Sequence, residues 1–327
     1  MKILLKVFLV IIGIIILFVV FVKTTWDNPL LAPYPDIQAN TDSAIVARGE
    51  YLVYGPAHCA ECHFPPDKFE EALKGEKLPL SGGLIFDFDP IKLGFPNITP
   101  DEETGIGLLT DGQIARMLRY SVGHNGRYIL PALMTFQETS DEDLTAIISY
   151  LRLQEPVTNK IEPTEYQFMA RALIALGLLP IRDTTIVPAK SVTRDSTAEY
   201  GSYLVRGLSN CMGCHTKNDP LTGEITGEHF AGGMHFEPDP FTEGYAYISP
   251  NLTPDPETGI MASWDQETYI QRFKAGRVHR GSPMYWNSFA NMDESDMKAI
   301  YKFLMSLEPV HNKVEKTVFA PGEDLPD

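Results

Sequence analysis

From Ile3 to Val22 every position is apolar except Lys6, a run of 20 residues. At ~1.5 Å of rise per residue this covers a hydrocarbon core of ~30 Å. Lys6 sits near enough to one end to snorkel, and Lys23 with Trp26 closes the other side as interfacial residues do. A cleaved signal peptide would have a shorter apolar stretch, ~7–15 residues, ending at small residues. Lys23-Thr24-Thr25-Trp26-Asp27 offers no such site. The pattern predicts an uncleaved transmembrane anchor over 1–26.

Beyond the anchor the periodicity is helical and often interrupted. Leu144, Ile147, Ile148 and Leu151 fall at i, i+3, i+4 and i+7, and so do Met297, Ile300, Tyr301 and Leu304. Ser140 with Asp143, and Asp293 with Asp296, are placed as N-cap and N3 residues, and Pro156 and Pro309 stop the two helices. Further helices are expected over 43–53, 111–121 and 266–274, with long Gly/Pro-rich loops between them. Phe168 to Ile181 is nearly all apolar, broken by Arg171. It is short for a span and reads as a helix packed on a neighbouring domain, the sharper alternative being a segment lying on the membrane surface. The expected fold is all-α with thin cores, which a large buried prosthetic group would complete.

The pattern also repeats. Gly49-Glu50-Tyr51-Leu52-Val53 recurs as Gly201-Ser202-Tyr203-Leu204-Val205, and Cys59-Ala60-Glu61-Cys62-His63 as Cys211-Met212-Gly213-Cys214-His215. Gly82-Gly83 recurs as Gly232-Gly233, and Pro96-Asn97-Ile98-Thr99-Pro100-Asp101 as Pro250-Asn251-Leu252-Thr253-Pro254-Asp255. Arg119 matches Arg272, and Glu155-Pro156-Val157 matches Glu308-Pro309-Val310. Matches in constant order at a near-constant offset indicate one domain duplicated in tandem. The organisation expected is an anchor (1–26), domain one (40–160), an apolar interdomain segment (161–190) and domain two (191–327).

Charge narrows the partners. The chain carries 27 Lys+Arg against 43 Asp+Glu, a net −16. The first 26 residues hold three lysines and no acid, so the remainder of the chain is more acidic still. That excludes nucleic acid as the main ligand, since phosphate binding needs a basic face. It suits steering of a basic protein partner. Arg272, Lys274, Arg277 and Arg280 form a local exception that would mark a different docking face.

The four cysteines lie in two Cys-x-x-Cys pairs, each followed at once by a histidine. This is the attachment signature for c-type haem: two thiols form thioethers to the porphyrin and the imidazole binds iron. A zinc site would need the two pairs close together, and a thioredoxin-like pair would not need the histidine twice. Two disulfides would leave the repeated histidine unexplained. A second axial ligand is expected on a loop before each terminal helix: Met134 in Pro131-Ala132-Leu133-Met134 and Met284 in Ser282-Pro283-Met284. A thioether ligand favours ferrous iron and raises the potential. His124 and His279 are the rival ligands. Asn97 and Asn251, with Arg119 and Arg272, are candidates for the haem edge and its propionates, and the glycine pairs for close approach to the porphyrin.

With these motifs in place the chain resembles the class I cytochrome c family, and within it the membrane-anchored di-haem cytochromes c of bacterial respiratory chains. It is also similar to the cytochrome subunits of periplasmic dehydrogenases. The resemblance implies two covalently bound haems c, with His63 and His215 as proximal and Met134 and Met284 as distal ligands. Pro131-Ala132-Leu133-Met134 departs from the family's usual Pro-Ala-Met-Pro. The function implied is relay of single electrons between a respiratory donor, such as a dehydrogenase or quinol-oxidising complex, and an oxidase or soluble cytochrome. Haem c is attached outside the cytoplasmic membrane, so the implied topology is single-pass and N-in, with the haem domains in the periplasm. The alternative of another class is a di-haem peroxidase with one labile distal ligand.

Overall fold

The computed structural model describes residues 2–179, 181–219, 222–239, 242–279 and 281–326, leaving aside the Phe88 side chain. Arg280 of the basic group lies outside the described residues. The apolar run forms α1, Lys2–Thr25, with a mean hydropathy of 3.3 over its central window, long and apolar enough to cross a membrane.

The first repeat contributes α2 (Ser43–Tyr54), α3 (Ala60–His63), α4 (Phe69–Leu73), α5 (Asp111–Tyr120) and α6 (Asp141–Leu153). Between the repeats stands α7 (Phe168–Ala175). The second contributes α8 (Ala198–Tyr203), continued by a π-helical turn at Leu204–Leu208, then α9 (Cys211–Cys214), α10 (Gln266–Lys274), α11 (Trp286–Ala290) and α12 (Glu294–Met305). Starts are set by polar caps: Asp42 accepts from the amides of Ala44 and Ile45, Thr110 and Gln113 make a capping box, and Asp265 accepts from Thr268. Ser140 caps α6 through Asp143 N as expected, whereas Asp293 makes no side-chain cap on α12.

The fold is mostly helical, and the all-α reading is corrected by two small antiparallel sheets. One joins β1 (Ile85–Phe88), β2 (Ile91–Gly94) and β3 (Glu165–Tyr166), with Ile85 opposite Gly94 and Ile91 opposite Tyr166. The other joins β4 (His235–Phe236), β5 (Ala246–Ile248) and β6 (Val318–Phe319). Strands this short carry too little alternation to stand out from loops, and their third members lie far along the chain.

In each repeat the first and last helices cross at a glycine. A Cβ on Gly49 would sit 1.9 Å from Ala146 O, and one on Gly201 2.0 Å from Ala299 O. Close backbone contact lets α2 lie on α6, and α8 on α12. One continuous core then runs through both repeats, with Leu52, Leu144, Ile147 and Ile148 on one side and Leu204, Met297, Ile300 and Leu304 on the other. The halves meet with approximate two-fold symmetry. Tyr51 Oη donates to Asp296 at 2.7 Å, and its counterpart Tyr203 Oη donates to Asp143 at 2.9 Å. Asp293 N and Ser140 N each donate back to those hydroxyls. Arg48 bridges Asp143 and Tyr200. The two acids expected at N3 therefore serve the seam between the repeats.

Candidate functional site

Each Cys-x-x-Cys-His motif begins at a left-handed residue, His58 (φ 43°) in the first repeat and Asn210 (φ 49°) in the second. That sharp turn starts a single helical turn, α3 or α9, which gathers both thiols and the imidazole on consecutive residues of one short element. None of the four cysteines is disulfide-bonded. Burial pushes the thiols up, to about 12 for Cys59, Cys62 and Cys211 and about 11 for Cys214. A redox-active pair would instead be shifted down, so these are neutral thiols in apolar surroundings.

The two histidines are prepared identically. His63 Nδ1 lies 2.8 Å from Pro96 O, and His215 Nδ1 lies 3.0 Å from Pro250 O. A carbonyl partner means that Nδ1 carries the proton, which leaves Nε2 with its lone pair free for iron. Burial lowers both imidazoles, His63 to about 4, so each is neutral at physiological pH. The loop glycines complete the support: Gly82 N donates to His63 O and Gly232 N to His215 O. Both have positive φ, and a Cβ would meet Pro96 O at 2.4 Å or Ser249 O and Pro250 C at 2.5 Å. The close approach these glycines allow is to the loop that holds the histidine, where their pattern in the sequence suggested the porphyrin face. The Pro96 and Pro250 carbonyls are not singled out by sequence reasoning, although their repetition beside the asparagines was the available signal.

In the second repeat the pieces converge on one cavity of about 320 Å³, lined by Cys211, Cys214, His215, Met284, Arg272 and Trp286 among others. That lies within the ~300–1,000 Å³ of cofactor sites. The lining brings a soft, neutral thioether together with an imidazole and two thiols, the donor set that c-type haem requires. Arg272 stacks over the Trp286 ring at 3.6 Å and donates to Gly276 O. His279, the rival ligand, also lines this cavity, while His124 is exposed.

In the first repeat Met134 is half-buried at the end of a 3₁₀ turn, Pro131–Leu133, ahead of α6. Arg119 is buried, donates to Thr139 O and Asp141, and leaves its Nε with no partner among the described residues. Asn97 and Asn251 are fully engaged within the protein. Asn97 Nδ2 donates to Thr104 and to Val157 O, and its Oδ1 accepts from Thr99 N and Oγ1. Asn251 repeats the pattern with Thr258, Val310 and Thr253. Both staple the Pro-Asn loop to the strand of chain after the terminal helix.

Within the basic group expected to mark a docking face, Arg272 and Arg277 are half-buried and Lys274 is exposed. Arg277 faces Glu61 of the first Cys motif at 3.5 Å, and Lys274 donates to Ala290 O and Met292 O. The Arg277–Glu61 contact belongs to a second seam, which sequence alone did not reveal. Tyr285 stacks on His58 with ring centroids 4.3 Å apart, and its hydroxyl lies against the Cys62 thiol while it lines the second cavity. Glu61 accepts from Ser288 N at 3.0 Å, and Asn287 donates to Ala72 O. The Met284 loop of one repeat thus rests on the attachment helix of the other.

No family model matches the chain. Among curated proteins it is 32% identical over 215 residues to a diheme c-type cytochrome of Cereibacter sphaeroides, a match covering 64% of this chain and 67% of that one. It is 28% identical over 300 residues to the cytochrome c subunit of a quinone-dependent alcohol dehydrogenase of Gluconacetobacter polyoxogenes, covering 86% and 58%. It is 27% identical over 297 residues to a nicotinate dehydrogenase subunit of Pseudomonas putida, covering 86% and 23%. The chain thus spans between about a quarter and three fifths of these two dehydrogenase subunits.

Proposed function

The chain belongs to the cytochrome c family, and from that premise we propose that it is an electron carrier rather than an enzyme, which binds two haems c, one per repeat, and passes single electrons between two redox proteins beside a membrane. The observation that carries the reading is the repeated pairing of a Cys-x-x-Cys-His turn with a histidine whose Nδ1 is already satisfied. Bound haem supplies a one-electron couple between ferric and ferrous iron. The protein does the rest. Cys59 and Cys62 hold one haem, and Cys211 and Cys214 the other. His63 and His215 would bind iron through Nε2 and Met134 and Met284 through sulfur, and Arg119 and Arg272 are the candidate cations for the propionates. With a histidine and a methionine both held by the iron, the bound haem would exchange electrons without taking up a substrate.

Helix α1 holds the carrier at the cytoplasmic membrane, N-terminus in, with both repeats on the periplasmic face. The relatives' names support a place as the cytochrome subunit of a dehydrogenase complex, with the dehydrogenase as electron donor. The test is purification of the full chain from membranes in mild detergent. The expected result is two haems per chain that stay attached on denaturation, both low-spin when oxidised, with the methionine-to-iron charge-transfer band. One haem per chain, a stoichiometric high-spin haem, or peroxide turnover at enzyme rates would overturn the reading.

A further inference from the structure

Helix α7 packs on the first repeat and also reaches α1. Phe168 meets Phe18 of α1 edge-on, with ring centroids 6.3 Å apart. The apolar run of α1 is centred near residues 12–13, so half of a ~30 Å core ends about ten residues later, close to Val22. Phe18 therefore lies about 6 Å inside the hydrocarbon, and α7 touches it there. One face of α7 is covered by the small core of the first repeat, through Ala170, Leu173 and Ile174. Phe168 and Met169 at its start, and Leu176 and Leu178 just beyond its end, are exposed, Met169 by 63%.

Trp26 and Arg171 of α7 also line a cleft of about 420 Å³, with Lys92, Arg127, Glu162 and Glu165 among the others. Arg127 and Arg171 flank the Trp26 ring, at 5.5 and 4.7 Å from its centroid. Among the described residues neither Lys92 nor Arg127 forms an ion pair, in a chain with 16 more acids than bases. Trp26 stands a few residues beyond the hydrocarbon edge, at the level where indole rings and lipid phosphates meet.

We infer that α7 and the segment through Leu178 form an interfacial helix seated in the outer leaflet beside α1, and that the Trp26 cleft receives the phosphate of a phospholipid headgroup. This rests on the reading that α1 crosses a membrane. The occupant follows from three features: continuity with α1, a burial depth within the ~5–10 Å of interfacial helices, and free cations at headgroup height. The consequence is that the first repeat is held flat on the membrane by three points, α1, α7 and the cleft, and does not swing on a tether.

The test uses the full, haem-loaded chain in nanodiscs of phosphatidylglycerol and phosphatidylcholine. Spin labels are placed by Met169→Cys and Leu178→Cys, with Ile14→Cys as the anchor control and the unsubstituted chain as labelling background. Collision with oxygen against a water-soluble nickel chelate reports depth. The inference expects all three labels in lipid, with 169 and 178 shallower than 14. Water-exposed labels at 169 and 178 with label 14 in hydrocarbon would overturn the inference and leave the anchor standing. A water-exposed label 14 would remove the anchor and the inference together. For the cleft, a Lys92→Gln, Arg127→Gln double variant should retain half or less of the tightly bound phospholipid counted by native mass spectrometry. An unchanged count would overturn the headgroup assignment.

Discussion

A single asparagine illustrates how a repeated residue can be read two ways. Asn251 is 1% exposed, and both its donors and its acceptor are occupied by Thr253, Thr258 and Val310. Asn251→Ala leaves these buried partners unpaired, at ~1–3 kcal/mol for each group. We expect thermal unfolding to show a loss of about 2–4 kcal/mol, with the midpoint potential of the second haem unchanged; a shifted potential at intact stability would indicate a haem-edge role instead. Met284 gives the opposite signature. Its sulfur shares a cavity with His215, so Met284→Ala is expected to convert one of two haems to high-spin and lower its potential, with little change in unfolding. Electronic spectra and redox titration read both effects. In sequence the asparagine was legible as a repeated candidate for the haem edge. Its partners come from residues up to 59 positions away, which spacing alone does not expose.

At the scale of elements, the helix crossings and the seam between repeats carry the fold. Gly49→Ala puts a methyl group 1.9 Å from Ala146 O, so α2 must move off α6. Alanine's better helix propensity recovers only ~1 kcal/mol. Overpacking of this kind outweighs it, and a net destabilisation of about 2 kcal/mol or more is expected from denaturant unfolding. Asp296, beneath Tyr51 at the seam, has its carboxyl raised by burial, a shift that the Tyr51 hydrogen bond and the Arg48 charge only partly offset. The folded state therefore keeps a proton that the unfolded chain releases near pH ~3.9. Stability falls as pH rises from there through the raised value, and remains lower above it. Asp296→Asn should flatten this slope, which urea titrations from about pH 4 to neutrality would show. The glycines and the two tyrosines were visible as repeated letters. That they face each other across a pseudo-two-fold seam depends on pairing α2 with α12, a contact between residues 245 apart.

For the whole molecule, charge and attachment act together. The acidic excess that lies beyond the first 26 residues would draw a basic partner toward both repeats. Transfer to such a partner should slow steeply between about 10 mM and about 1 M salt, as the Debye length falls from ~30 to ~3 Å. A rate independent of salt in stopped-flow measurements would remove steering as a role. Of the basic residues before Met284, Arg277 is paired with Glu61, while Lys274 stays exposed as it donates to backbone carbonyls. Arg277 helps to join the second repeat to the first attachment helix through Glu61.

What the sequence determined by itself was chemistry written in contiguous residues and patterns written in order: the Cys-x-x-Cys-His turns, the apolar run of α1, the tandem repeat and the amphipathic terminal helices. Each needs only neighbours along the chain, so each survives reading without a fold. Tertiary structure decided which carbonyl holds each histidine, which glycines mark crossings and which loops, and that strands of two to four residues pair at all. It also decided that Tyr285 of one repeat lies against Cys62 of the other, and that α7 reaches Phe18. These are contacts between distant segments. Their energy comes from desolvation and hydrogen bonding at surfaces that do not exist until the chain has packed.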